Sequence, residues 1–112
     1  MDMSVDILDN GVHHIGLEGA FDINGAADVD LRFAALAGSR DKILVDLSKV
    51  ASLASIGIRT LLVNAKVVNR RGGKFVIAAA QPMVSKSLET AGLTDLIATY
   101  PDVDSAMQAF RG

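Results

Sequence analysis

A chain of 112 residues, half of them apolar and about a fifth charged, suffices for one packed domain over residues 1–112 that needs neither disulfides nor metal. The absence of cysteine excludes a disulfide scaffold, thiolate zinc sites and a cysteine nucleophile, and fits a reducing cytoplasm. A net charge of −2 with both signs interspersed speaks against direct nucleic-acid binding, and no apolar run approaches the roughly 20 residues of a membrane span.

The acidic start, MDMSVDILDNG, has no basic region ahead of an apolar stretch and does not read as a signal peptide. Residues 4–9 and 12–17 are two short β-like runs. Asp9-Asn10-Gly11 between them tolerates the positive φ angles of a tight turn, so the spacing predicts an antiparallel hairpin. Ala26, Val29, Phe33 and Leu36 then share one helical face, with Asp22 or Asn24 as the cap and Gly38 as the stop.

Ile43 to Leu47 is an apolar, β-branched run typical of a covered strand. A second helix follows, with Ile58, Leu61, Leu62, Ala65 and Val68 as its stripe, Arg70-Arg71 at its negative end and Gly72-Gly73 as its stop. Phe75 to Ala79 reads as another buried strand. Pro82 opens a third helix with Val84, Leu88 and Ala91 inward and Gly92 as its cap. Leu96 to Ala98 is a short last strand, and Asp102 opens a last helix carrying Val103, Ala106, Met107 and Phe110 on one side. The order is ββαβαβαβα. This is an α/β domain: an antiparallel hairpin, then parallel strands joined by right-handed crossovers, with about four helices.

Few residues invite chemistry. His13 and His14 are neighbours on a strand, point to opposite faces and have no third ligand, so no metal or other cofactor is expected. Neither GxGxxG nor GxxxxGK[ST] is present. Asp46 interrupts an apolar strand near its expected C-terminal end, and Asp22 follows the second strand; both would lie at the sheet edge where open parallel sheets place their sites. Each also has a plain reading as the cap of a helix or turn.

Ser55 is the principal candidate. As the N-cap of the second helix its hydroxyl would accept a backbone N–H and contribute about 1 kcal/mol. A phosphate on the same oxygen would meet unsatisfied N–H groups at the positive end of the helix dipole. Gly57 would keep bulk away from an approaching active site, and Arg59, one turn on, would assist with a phosphate or a partner's carboxylate.

At this point the chain resembles the STAS domain family, the anti-sigma factor antagonists whose fold also forms the cytoplasmic tail of sulphate transporters. Where the family shows Gly-Glu-Leu-Asp after its second strand, this sequence has Gly19-Ala20-Phe21-Asp22. The Val-Leu-Asp-Leu strand appears as Leu44-Val45-Asp46-Leu47-Ser48, and the Asp-Ser-Ser/x-Gly-Leu hallmark as Ala54-Ser55-Ile56-Gly57-Ile58. A Gly-Gly-x-apolar run appears as Gly72-Gly73-Lys74-Phe75-Val76-Ile77, and a Leu-x-x-Ser/Ala-Gly-Leu segment as Leu88 to Leu93.

The resemblance implies a STAS-like fold and a binding protein with no catalysis of its own. It implies partner switching: the unphosphorylated form binds a serine-kinase anti-sigma factor, phosphorylation of Ser55 ends the complex, and a PP2C-like phosphatase restores it. The implied contact surface comprises Asp22, Asp46, Ala54, Ser55, Ile56, Gly57 and Arg59. Ala54 replaces the family's usual aspartate and Ile56 its frequent second serine, which would weaken kinase recognition and suit a constitutive apolar contact. The alternatives are an unphosphorylated STAS subunit of a membrane-lipid transport ATPase complex, and a small ligand-binding or enzymatic α/β domain, which would need a deep polar pocket at the strand ends.

Overall fold

The computed structural model describes residues 1–111. Five strands form one sheet in the order β1-β2-β3-β4-β5: β1 Asp2–Ile7, β2 His13–Phe21, β3 Lys42–Leu53, β4 Lys74–Ala78 and β5 Ala98–Tyr100. β1 runs antiparallel to β2 and all later neighbours are parallel. The hairpin closes through a 3-10 turn at Asp9–Gly11, where Asn10 and Gly11 have φ of 62° and 74°. This is the left-handed backbone that Asn-Gly adopts at least cost.

The helices are α1 Ile23–Ala37, α2 Ser55–Arg70, α3 Pro82–Thr90 and α4 Val103–Met107. Side chains alternating along each strand feed two separate cores. Ile15, Leu17, Ile43, Val45, Leu47, Phe75 and Ile77 pack under α1, α2 and α3; Phe33 of α1 stacks on Phe75 with ring centroids 6.1 Å apart. On the other face, among the described residues, α4 and the 3-10 turn after it, through Ala106, Met107 and Phe110, cover Val12, Leu44, Val76 and Ala78, with Leu8, Ala79 and Tyr100 packed at the margin. The second face of β1 and β2 therefore lies outside that cover.

Several boundaries differ from the sequence reading. β3 continues to Leu53 because β2 pairs with it up to Phe21↔Leu53, whereas β4 stops opposite Asp46. Leu96 precedes β5 and is exposed, and Ala91 is exposed as well. The parallel strands all point the same way, and the loops at Asp22, Ala54 and Ala79 follow their ends, with β2 and β3 reaching well past the end of β4; the opposite edge carries the hairpin turn, Asp41 and Gly72-Gly73.

Candidate functional site

Ser55 sits at the loop edge of the sheet, where β3 gives way to α2. The N-cap of α2 is Ala54, with extended backbone, so Ser55 is the first helical residue and no side chain caps the helix. This corrects the expectation of a capping serine. The chain turns into the helix one residue early because the Ala54 N–H is tied to the Phe21 carbonyl at 3.0 Å, extending the β2–β3 pairing to that point. The Ser55 side chain is exposed and forms no hydrogen bond among the described residues. The first helical N–H groups, at Ser55 and Ile56, are thus left without a side-chain acceptor at the positive end of a 16-residue helix.

Gly57 is also placed differently. It is buried, and a Cβ there would lie 2.7 Å from the Phe21 carbonyl oxygen and 2.8 Å from both Phe21 Cγ and Leu53 Cδ1. The glycine lets α2 seat against the ends of β2 and β3; it does not clear space for a visitor. Arg59 is exposed one turn beyond Ser55. Ile56 is half-buried.

Asp22 lies in the loop beside this site, since Phe21 and Leu53 are paired. Its carboxylate accepts the Gly25 N–H at 2.9 Å and caps α1, so its structural role is the plain one.

Asp46 lies elsewhere. It is the fifth residue of a twelve-residue strand and shares the α4-side face with Leu44. Seven steps along a bulged stretch of β3 separate it from Leu53; β2 spans the same stretch in five, from Gly16 to Phe21, or about 17 Å. His14 Nε2 donates to its Oδ2 at 2.8 Å, the Ser48 N–H donates to its Oδ1 at 2.9 Å, and Asp6 approaches the other His14 nitrogen at 3.8 Å. Burial pushes the Asp46 carboxyl up, but the bonds from Ser48 and His14 outweigh it and hold it below the ordinary carboxylate value. These groups border an open groove of about 340 Å³ on the uncovered sheet face. The expectation that Asp46 shares an edge with Ser55 is overturned by the length of β3.

Beside Ser55 lies a feature the sequence reading did not name, an open groove of about 660 Å³ between the starts of α2 and α3. Leu53, Ala54 and Ile58 form one wall; Met83, Lys86 and Thr90 form the other. Met83 is 81% exposed. The signal available was the outward stripe of α3, Met83-Lys86-Ser87-Thr90, opposite its inward Val84 and Leu88. Among the described residues no cluster of acids and histidines is arranged to hold a metal. No helix there is long and apolar enough to cross a membrane.

The family model of the STAS domain matches residues 9–106. The chain belongs to the STAS domain family. Solved STAS structures superpose closely on it. An anti-sigma factor antagonist from Mycobacterium paratuberculosis is 25% identical, with 99% of this chain and 94% of that one covered and a TM-score of 0.88. The STAS domain of a SulP transporter from Vibrio cholerae is also 25% identical, over 86% of this chain and 77% of that one, with a TM-score of 0.70. The Bacillus cell-fate determinant SpoIIAA in its phosphorylated form is 14% identical over 98% and 100%, with a TM-score of 0.74, a likeness of fold. A comparison of the sequence with curated proteins finds no match.

Proposed function

We propose that this STAS domain is a cytoplasmic anti-sigma factor antagonist. It binds a serine-kinase anti-sigma factor through the start of α2 and is released when that kinase phosphorylates Ser55; a PP2C-like phosphatase resets it. The observation that carries the reading is an exposed, unbonded serine hydroxyl at an uncapped helix start, beside an apolar groove. Unmodified, Leu53, Ile58 and Met83 offer a partner an apolar contact with Ser55, Ile56 and Arg59 at its rim. A phosphate adds roughly two negative charges there. In the free protein it is stabilised by the open N–H groups of α2, whereas under a docked partner it must be desolvated against apolar walls. The domain is the kinase's substrate and performs no catalysis itself. Asp22 flanks this surface and Asp46 lies outside it.

The test is incubation with cognate anti-sigma kinases and ATP, read by intact mass and by binding to the kinase. One added phosphate, absent in Ser55→Ala, with loss of binding in the phosphorylated protein, is expected. Ala54 favours a second reading, constitutive docking without modification, as in a subunit of a lipid-transport ATPase complex. Binding to a kinase-free ATPase partner, with no phosphate gained from any cognate kinase, would select it.

A further inference from the structure

The edge of the sheet opposite Ser55 is charged unlike the rest of the chain. Lys42 and Lys74 are register partners at the starts of β3 and β4. With Arg111 they line an open groove of about 490 Å³ floored by Gly72, Gly73 and Phe110. Arg40 precedes β3, Arg70 ends α2 and Arg71 caps it. Six of the chain's eleven lysines and arginines thus stand at one edge.

The carboxylates at that edge are Asp9, Asp41, Glu89 and Asp95, with exposed Asp6 one row further in, beside Ile7. Asp41, which borders the groove, is already held by Arg71 at 3.0 Å. The remainder of the chain keeps five cations against nine acids. An overall charge of −2 hides this separation. The edge also exposes two aliphatic side chains. Ile7, opposite His13 at the end of β1, is 69% exposed; Leu96, beside Gly73 and Lys74, is 61% exposed.

We propose that this edge is a peripheral docking surface for an anionic phospholipid bilayer. Basic side chains gain at a negatively charged lipid surface within a Debye length. Exposed Ile7 and Leu96 gain by entering the headgroup boundary. This pairing of cations with aliphatics favours a bilayer over a nucleic acid, whose phosphates offer the aliphatics nothing. The acidic remainder is repelled, which orients the domain: the basic edge faces the lipid and Ser55 faces the solution. The inference goes beyond the partner-switching reading and does not depend on it.

The test is co-sedimentation of the full chain with vesicles of phosphatidylcholine, with and without about one-third phosphatidylserine. Binding is expected only to the anionic vesicles at about 0.1 M salt and is lost at about 0.5 M. Arg40, Arg70 and Arg111 make no side-chain hydrogen bond among the described residues, so Arg40→Glu/Arg70→Glu/Arg111→Glu should fold, which thermal melting checks. It should bind at least about 100-fold more weakly. The control Arg32→Glu/Lys49→Glu/Lys66→Glu should keep at least a tenth of the wild-type affinity (roughly one order, from its changed net charge). Ile7→Ser/Leu96→Ser should bind about tenfold more weakly at about 0.1 M salt. Absence of binding to anionic vesicles at low salt, equal binding to neutral ones, or equal loss in the control overturns the proposal. So does a DNA duplex that competes the vesicles off.

Discussion

Gly57→Ala separates two accounts of the same residue. If Gly57 were open, alanine would raise stability by up to about 1 kcal/mol, since glycine is the poorer helix former. The geometry demands the opposite. The new methyl would lie 2.7 Å from the Phe21 carbonyl oxygen, which is itself pinned by the Ala54 N–H at 3.0 Å. Phe21 is fully buried, so its ring has no free volume to enter. Only Leu53, whose Cδ1 is 2.8 Å away, can rotate aside. Overpacking costs about 1–3 kcal/mol, and with two of the three clashing atoms on immobile Phe21 the upper half of that range, about 2–3 kcal/mol, applies, leaving a net loss of about 1–2 kcal/mol after the propensity gain. Urea unfolding followed by far-UV circular dichroism reads this directly; the melting temperature should fall by about 4–8 °C. A variant as stable as the wild type, or more so, would refute the packing argument.

Ser55→Ala should change stability by less than about 0.5 kcal/mol, because no cap bond is lost, whereas Asp22→Ala should cost about 1 kcal/mol by releasing the Gly25 N–H; chemical denaturation of both variants checks the contrast. Asp46, with its carboxyl held low, contributes stability that is present above the ordinary value of 3.8 and lost as pH falls through its lower folded value. The gap in urea midpoint between wild type and Asp46→Asn should therefore narrow as pH drops from 7 toward about 3, and a constant gap would contradict it. Ala79 holds φ at 62° where β4 ends, a left-handed conformation that a Cβ disfavours by about 1–2 kcal/mol. Ala79→Gly should gain up to about 1 kcal/mol after glycine's own entropic cost, measurable as a higher melting temperature.

Where structure depends on neighbours in sequence, the chain could be read directly. The hairpin follows from Asn10-Gly11, and α1, α2 and α4 from their apolar stripes and from Asp22 and Asp102, which cap as expected. What escaped was set by pairing. The second half of β3 carries Ser48, Lys49, Ala51 and Ser52 exposed, so it lacks the pattern of a covered strand; its pairing with β2 makes it one. Leu96-Ile97-Ala98 looked like a strand because it is apolar, but Ile97 is buried under the helices and the pairing with β4 begins only at Ala98.

The same distinction divides the candidate residues. Ser55 was found because a helix start announces itself locally, yet its capping role failed on a tertiary bond, the Ala54 N–H to Phe21. Asp46 looked like an edge residue because an acid in an apolar run invites a functional reading. Register places His14 one strand away: Ile15 is opposite Val45 and Gly16 opposite Asp46, so His14 and Asp46 lie on one face two rows apart, within reach of the imidazole. The charge separation between the two edges is legible only in part: Arg70-Arg71-Gly72-Gly73-Lys74 is a local basic run able to attract an anion, but Arg40, Lys42 and Arg111 join it only when parallel strands align their starts. Parallel topology therefore does more than bury the strands. It collects the starts of the four parallel strands at one edge and points their ends the other way, so a chain of nearly balanced charge can present a cationic edge and, at the far end of β3, an uncharged serine on a helix with two open N–H donors. Ala54 adds to that contrast, since an aspartate cap would fill those donors and place a permanent negative charge beside Ser55, whereas alanine leaves the helix start uncapped at a cost of about 1 kcal/mol.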